Sequence, residues 1–134
     1  MRIEMNRETE NFLESMLFGF IWELSELKEE DWTIYDIEKD FVDKIEQFIS
    51  DFLVYLEEKY PELYENLDML QRSFGGNIYF SLSGHGCGFW DDLDSELGEA
   101  LQKAIEEFAG SRYLFEQIDL WEENGKLRVG GVAI

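Results

Sequence analysis

The sequence predicts an α+β fold, on three observations. Ten of the eleven glycines, all but Gly19, lie beyond Phe74. The first half repeats its apolar residues at helical spacing, whereas the second half contains alternating apolar runs and an Asn-Gly turn. The expected architecture is two long N-terminal helices plus a short third, then strand, helix, strand, strand, with the strands forming a small, mainly antiparallel sheet of about three strands. At 134 residues, 45% of them hydrophobic, the chain is expected to form a single domain over residues 1–134.

From Thr9 to about Leu27, the residues Leu13, Leu17, Phe20, Ile21 and Leu24 recur every three or four positions and mark the first helix. Phe12, Phe18 and Trp22 fall outside that stripe, so the helix is expected to be apolar on more than one face. Thr33-Ile34-Tyr35-Asp36 has the form of a capping box, with a Thr side chain accepting from free backbone N–H groups and a carboxylate at the positive end, and predicts that the second helix begins there. Phe41, Ile45, Phe48, Ile49, Phe52 and Leu56 form its apolar stripe, opposed by Asp40, Asp43, Gln47, Glu57 and Glu58. Pro61 ends that run and suits the first turn of the short third helix.

Beyond Gly75-Gly76, Ile78, Phe80 and Leu82 alternate with Tyr79, Ser81 and Ser83, the period of a half-buried strand. Asp91, Asp92 and Asp94 offer N-caps to a helix carrying Leu93, Leu97, Leu101, Ala104, Ile105 and Phe108 on one face and closing near Gly110. Runs from Gln117 to Trp121 and from Lys126 to Val132 flank Glu122-Glu123-Asn124-Gly125. Asn-Gly tolerates positive φ at both positions and predicts a hairpin.

The only His and the only Cys fall between the expected strand and helix, in Gly84-His85-Gly86-Cys87-Gly88-Phe89-Trp90-Asp91-Asp92. His85 and Cys87, two apart on extended backbone, would point the same way, and an imidazole can help form a thiolate. Neighbouring carboxylates oppose that by raising the thiol pKa. His85, Cys87, Asp91 and Asp92 could ligate zinc only with carboxylates completing the set, and the Asp91–Glu96 stretch lacks the spacing and glycine of a calcium loop. Three aspartates at the helix start repel phosphate, and neither a dinucleotide fingerprint nor a Walker lysine is present. No metal and no cofactor is therefore expected. The plainer reading is a tight turn permitted by glycine, anchored by Phe89 and Trp90 and capped by Asp91.

This run, together with Phe12 to Trp22, Trp32-Thr33-Ile34-Tyr35-Asp36-Ile37 and Asn124-Gly125-Lys126, resembles a family of small uncharacterised bacteriophage and plasmid proteins sharing roughly G-H-G-x-G-F-W-D. The resemblance implies an accessory protein of a mobile element in the host cytoplasm, and no known reaction. It places any role shared across relatives on His85, Phe89, Trp90 and Asp91 rather than on Cys87.

Charge carries the functional expectation. With 31 acidic and 11 basic residues, the net charge is −20. Duplex DNA and anionic membranes are thereby disfavoured as partners. One cysteine excludes an internal disulfide framework, and the absence of a leader-like or membrane-spanning run predicts a cytoplasmic protein. Duplex DNA carries one charge per about 1.7 Å, so 20 charges match roughly 34 Å of duplex. That is close to the diameter of roughly 35–40 Å expected of a compact chain this long. The leading expectation is a non-enzymatic protein that inhibits a basic host factor, such as a restriction, CRISPR or other nucleic-acid-handling defence component, by DNA mimicry. Its contact residues are expected to include Asp40, Asp43, Glu57 and Glu58, with His85 and Trp90. The alternatives are a small enzyme or ligand-binding protein centred on Gly84–Asp92, and a homodimer formed through the second apolar face of the first helix.

Overall fold

The computed structural model describes residues 6–20, 32–65, 74–83, 95–111, 113–132 and 134. Among the described residues, five α-helices and one antiparallel hairpin make a small α+β fold. Helix α1 (Arg7–Gly19) starts at Asn6, whose side chain accepts from the Thr9 N–H at 2.8 Å. The remainder of the expected first helix, including Trp22, lies outside the described residues. Phe12, expected off the stripe, is fully buried, with its ring edge-on to Tyr79 and Phe115. Phe18, by contrast, is 74% exposed.

The capping box at Thr33 forms as expected, with the Thr33 N–H donating to Asp36 Oδ2 at 2.8 Å. It caps a single 3-10 turn, Ile34–Asp36, rather than the second helix. The reason is tertiary: the Glu38 N–H donates to Leu127 O at 2.9 Å, and Ile37 bridges Leu127, holding the chain extended there. Helix α2 (Lys39–Lys59) therefore begins at Lys39. Its stripe of Phe41, Ile45, Ile49, Phe52 and Leu56 is buried as the spacing predicts. The short helix α3 is Pro61–Glu65.

Residues 78–81 of the run expected as a strand belong instead to helix α4 (Phe74–Ser81), and Leu82 and Ser83 form the turn that follows it. The alternation misleads because Tyr79, Ser81 and Ser83 are as buried as Ile78 and Leu82, so there is no solvent face to give a period. Gly75 and Gly76 bring this helix against α1: a Cβ at Gly75 would lie 1.8 Å from Glu8 O, and one at Gly76 2.6 Å from Ser15 Oγ. Bare glycine lets two helix backbones touch.

Helix α5 (Ser95–Ala109) buries Leu101, Ala104 and Ile105 and ends at Gly110, with φ +77°. Its expected aspartate caps and Leu93 lie outside the described residues. Gln102 Nε2 donates to Ser81 O at 3.2 Å, and the Phe115 N–H donates to Leu82 O at 2.8 Å, fastening α5 and the following turn to the end of α4. Strands β1 (Asp119–Glu123) and β2 (Lys126–Gly130) form the hairpin around Asn124 (φ 55°) and Gly125 (φ 79°), both left-handed as the Asn-Gly signal requires. Among the described residues the sheet has two strands rather than three. Leu120 and Leu127 join one hydrophobic core with Phe12, Phe52 and Phe115.

Candidate functional site

Asp40, Asp43, Glu57 and Glu58 all stand exposed on α2, opposite its buried stripe. At 100° per residue they fall within roughly one third of the helix circumference, and Asp40 and Glu58 are about 27 Å apart along the axis. Asp51 shares this arc, so the arrangement is a long carboxylate-bearing face.

Its charge is diluted. Lys39 Nζ lies 2.8 Å from Asp43 Oδ2, and both groups are exposed. That hydrogen bond and charge raise the Lys39 pKa above its ordinary value. Gln47 Nε2 donates to Asp51 Oδ1 at 2.8 Å, and Val54 is an exposed apolar residue in the middle of the face. Over its whole length α2 sets six carboxylates against Lys39, Lys44 and Lys59, a net of −3. A duplex as long as the Asp40–Glu58 span carries about 16 charges, so this helix alone has nothing near the density of a phosphate track.

The C-terminal end of α2 holds a cluster that spacing does not reveal. Glu107 Oε2 of α5 accepts from Tyr60 Oη at 2.5 Å and from Tyr55 Oη at 3.1 Å. Lys59 Nζ sits 3.5 Å from the same carboxylate and lies over both tyrosine rings. The Tyr60 hydrogen bond, helped by Tyr55 and Lys59, holds the Glu107 carboxyl below its usual range, against the opposing effect of partial burial. The same bond raises the Tyr60 phenol. These residues are 47 and 52 positions apart in the chain, and no local pattern joins them. Elsewhere on α5, Glu99, Gln102, Lys103, Glu106 and Glu107 line an open hollow of about 460 Å³.

The hairpin also displays a face that the alternation of β1 foreshadows. Asp119, Trp121 and Glu123 point to the side opposite the buried Leu120, and Trp121 is 41% exposed. Its indole lies across Gly130, where a Cβ would stand 3.1 Å from the ring. Arg128 Nε is 3.2 Å from Glu123 Oε2, an ionic contact whose direction is not aligned for a hydrogen bond.

His85 and Trp90, with Cys87, Asp91 and the rest of the glycine-rich run, lie outside the described residues. Among the described residues no group of three or more His, Cys, Asp or Glu side chains is placed to hold a metal ion, and no helix is long and apolar enough to cross a membrane. Comparison of the chain with protein-family models, with curated proteins and with solved structures finds no match.

Proposed function

We propose that this protein is a non-enzymatic, acidic accessory protein of a mobile element. In this reading it binds and inhibits a basic, nucleic-acid-handling protein of the host, engaging a surface that otherwise contacts DNA. The observation that carries the reading is the common exposed face of Asp40, Asp43, Glu57 and Glu58 on α2, within a chain of net charge −20. Because α2 is much less densely charged than a duplex, the contact must draw on the field of the whole molecule as well as on that face. Long-range attraction of this kind speeds encounter and weakens with salt.

The test is capture from host lysate at low ionic strength, followed by a salt gradient and by competition with duplex DNA. The captured protein is expected to be basic, to elute early in the gradient and to be displaced by DNA. Combining Asp40→Asn, Asp43→Asn, Glu57→Gln and Glu58→Gln is expected to weaken binding by roughly tenfold, about 1.4 kcal/mol. Retention unchanged by high salt or by excess duplex would rule out mimicry.

A further inference from the structure

The two edges of the hairpin are treated differently. A two-residue Asn124-Gly125 loop makes Glu123 and Lys126 the first mutually hydrogen-bonded pair, and antiparallel pairing then alternates. Trp121 and Arg128, and Asp119 and Gly130, bond to each other. Leu120, Glu122, Leu127 and Val129 therefore turn their N–H and C=O groups outward. On β2 those outward groups are met: Leu127 O accepts from the Glu38 N–H at 2.9 Å, and the Val129 N–H donates to Glu38 Oε2 at 3.3 Å. Glu38 thus closes the β2 edge. The β1 edge has no such cover among the described residues, so Leu120 and Glu122 offer two outward donor–acceptor pairs roughly 7 Å apart.

We propose that the β1 edge receives an extended, Lys- or Arg-bearing segment of a partner protein as a third strand. The inference rests on the reading of the protein as a binder of basic partners and gives that partner a second point of attachment. Backbone hydrogen bonds to Leu120 and Glu122 supply register, as in strand addition generally. Asp119, Glu122 and Glu123 lie along the receiving strand, all exposed. A side chain directly opposite one of them stands about 5 Å away, where opposite charge stabilises and like charge destabilises. Arg128 Nε, 3.2 Å from Glu123 Oε2, partly offsets that carboxylate, so Asp119 and Glu122 supply most of the complementary charge, while Lys126 is one strand further off, roughly 10 Å from the incoming chain. Trp121, folded over Gly130, keeps an exposed ring face within reach of a long cationic side chain.

A second copy of this chain is the wrong occupant. In the antiparallel register that uses both outward pairs of each β1 edge, Leu120 stands against Glu122, which places Asp119 opposite Glu123 on both sides of the new pair, carboxylate against carboxylate. Two chains of charge −20 would also have to approach each other. The carboxylates on this edge oppose self-association while leaving it open to a basic strand.

The probe is a short synthetic peptide alternating lysine and valine, with a twin N-methylated along its central amides. The unmethylated peptide is expected to bind at low salt and to slow amide hydrogen exchange at Leu120 and Glu122. The methylated twin is expected to bind at least roughly tenfold more weakly, because it has lost the donors but not the charge. Glu122→Pro removes one outward N–H at a position where an edge strand tolerates proline, and is expected to cost a similar factor; Glu122→Gln, which keeps the N–H, is expected to cost about two- to threefold. Exchange protection at Trp121 reports whether the ladder survives in Glu122→Pro. If that variant does not fold, the methylated peptide still decides.

Equal binding of both peptides, or equal binding to the wild type and a folded Glu122→Pro, overturns the strand-addition inference. It leaves the acidic-binder reading intact, since that reading is tested by the α2 substitutions. No binding of either peptide also overturns the inference, as does concentration-dependent self-association that protects Leu120 and Glu122. Failure to retain a basic protein from lysate sinks the broader reading as well.

Discussion

Gly75 shows how one residue can be legible as a type and illegible in its role. In the sequence Gly75-Gly76 marks a break before an alternating run, which is the usual meaning of paired glycine. In the fold Gly75 is where α4 meets α1, and a Cβ would lie 1.8 Å from a backbone oxygen that has nowhere to move. Gly75→Ala is therefore expected to destabilise by about 1–3 kcal/mol or more, as overpacking does, and to lower the midpoint of thermal unfolding followed by circular dichroism. Gly110 makes the comparison. A Cβ there meets nothing within 4 Å, so Gly110→Ala pays only for its positive φ of +77°, about 1–2 kcal/mol. Should Gly75→Ala prove the milder of the two, the close approach of α4 to α1 is wrong. Phe12 makes the same point about packing: one-dimensional spacing put it off the stripe, whereas α4 and Phe115 enclose it from the other side.

At the scale of elements, α2 was the most legible, because its buried residues follow a 3.6-residue period with solvent on the far side. The hairpin was equally plain, since Asn124 and Gly125 adopt the left-handed conformations their side chains tolerate. Helix α4 was not, because it is buried nearly all round and a two-residue alternation has no meaning without an exposed face. Nor was the junction of α2 with α5 through Tyr55, Lys59, Tyr60 and Glu107. That junction predicts a pH effect. The folded Glu107 value lies below the ordinary 4.5, chiefly because Tyr60 donates to the ionised form, so its contribution is fully present above about 4.5 and is lost as the pH falls through the folded value. Urea midpoints of wild type and Glu107→Gln are expected to differ at neutral pH and to converge in acid. A gap that persists unchanged into strong acid would mean the ionised carboxylate is not what joins the helices.

For the whole molecule, charge is the dominant property. A net −20 on 134 residues repels itself in the compact state, and the few lysines of α2 relieve this only locally. Raising sodium chloride from low to moderate concentration is expected to raise the unfolding midpoint, because screening shortens the reach of repulsion to about 10 Å at 0.1 M. A midpoint that falls with salt would show that ion pairs such as Lys39–Asp43 outweigh the repulsion. By itself the sequence determined the α+β class, the exposed carboxylates of α2, the capping box at Thr33 and the Asn-Gly hairpin, all consequences of local geometry and of which residues prefer water. Only the tertiary structure decided that the capping box serves one turn, that residues 74–81 are helical and that Glu38 closes the β2 edge while β1 has no cover among the described residues. Those outcomes depend on partners distant in the chain: Leu127 for Glu38, Glu8 for Gly75, and Leu82 for Phe115. Periodicity within a segment carries no information about which other segment will lie against it.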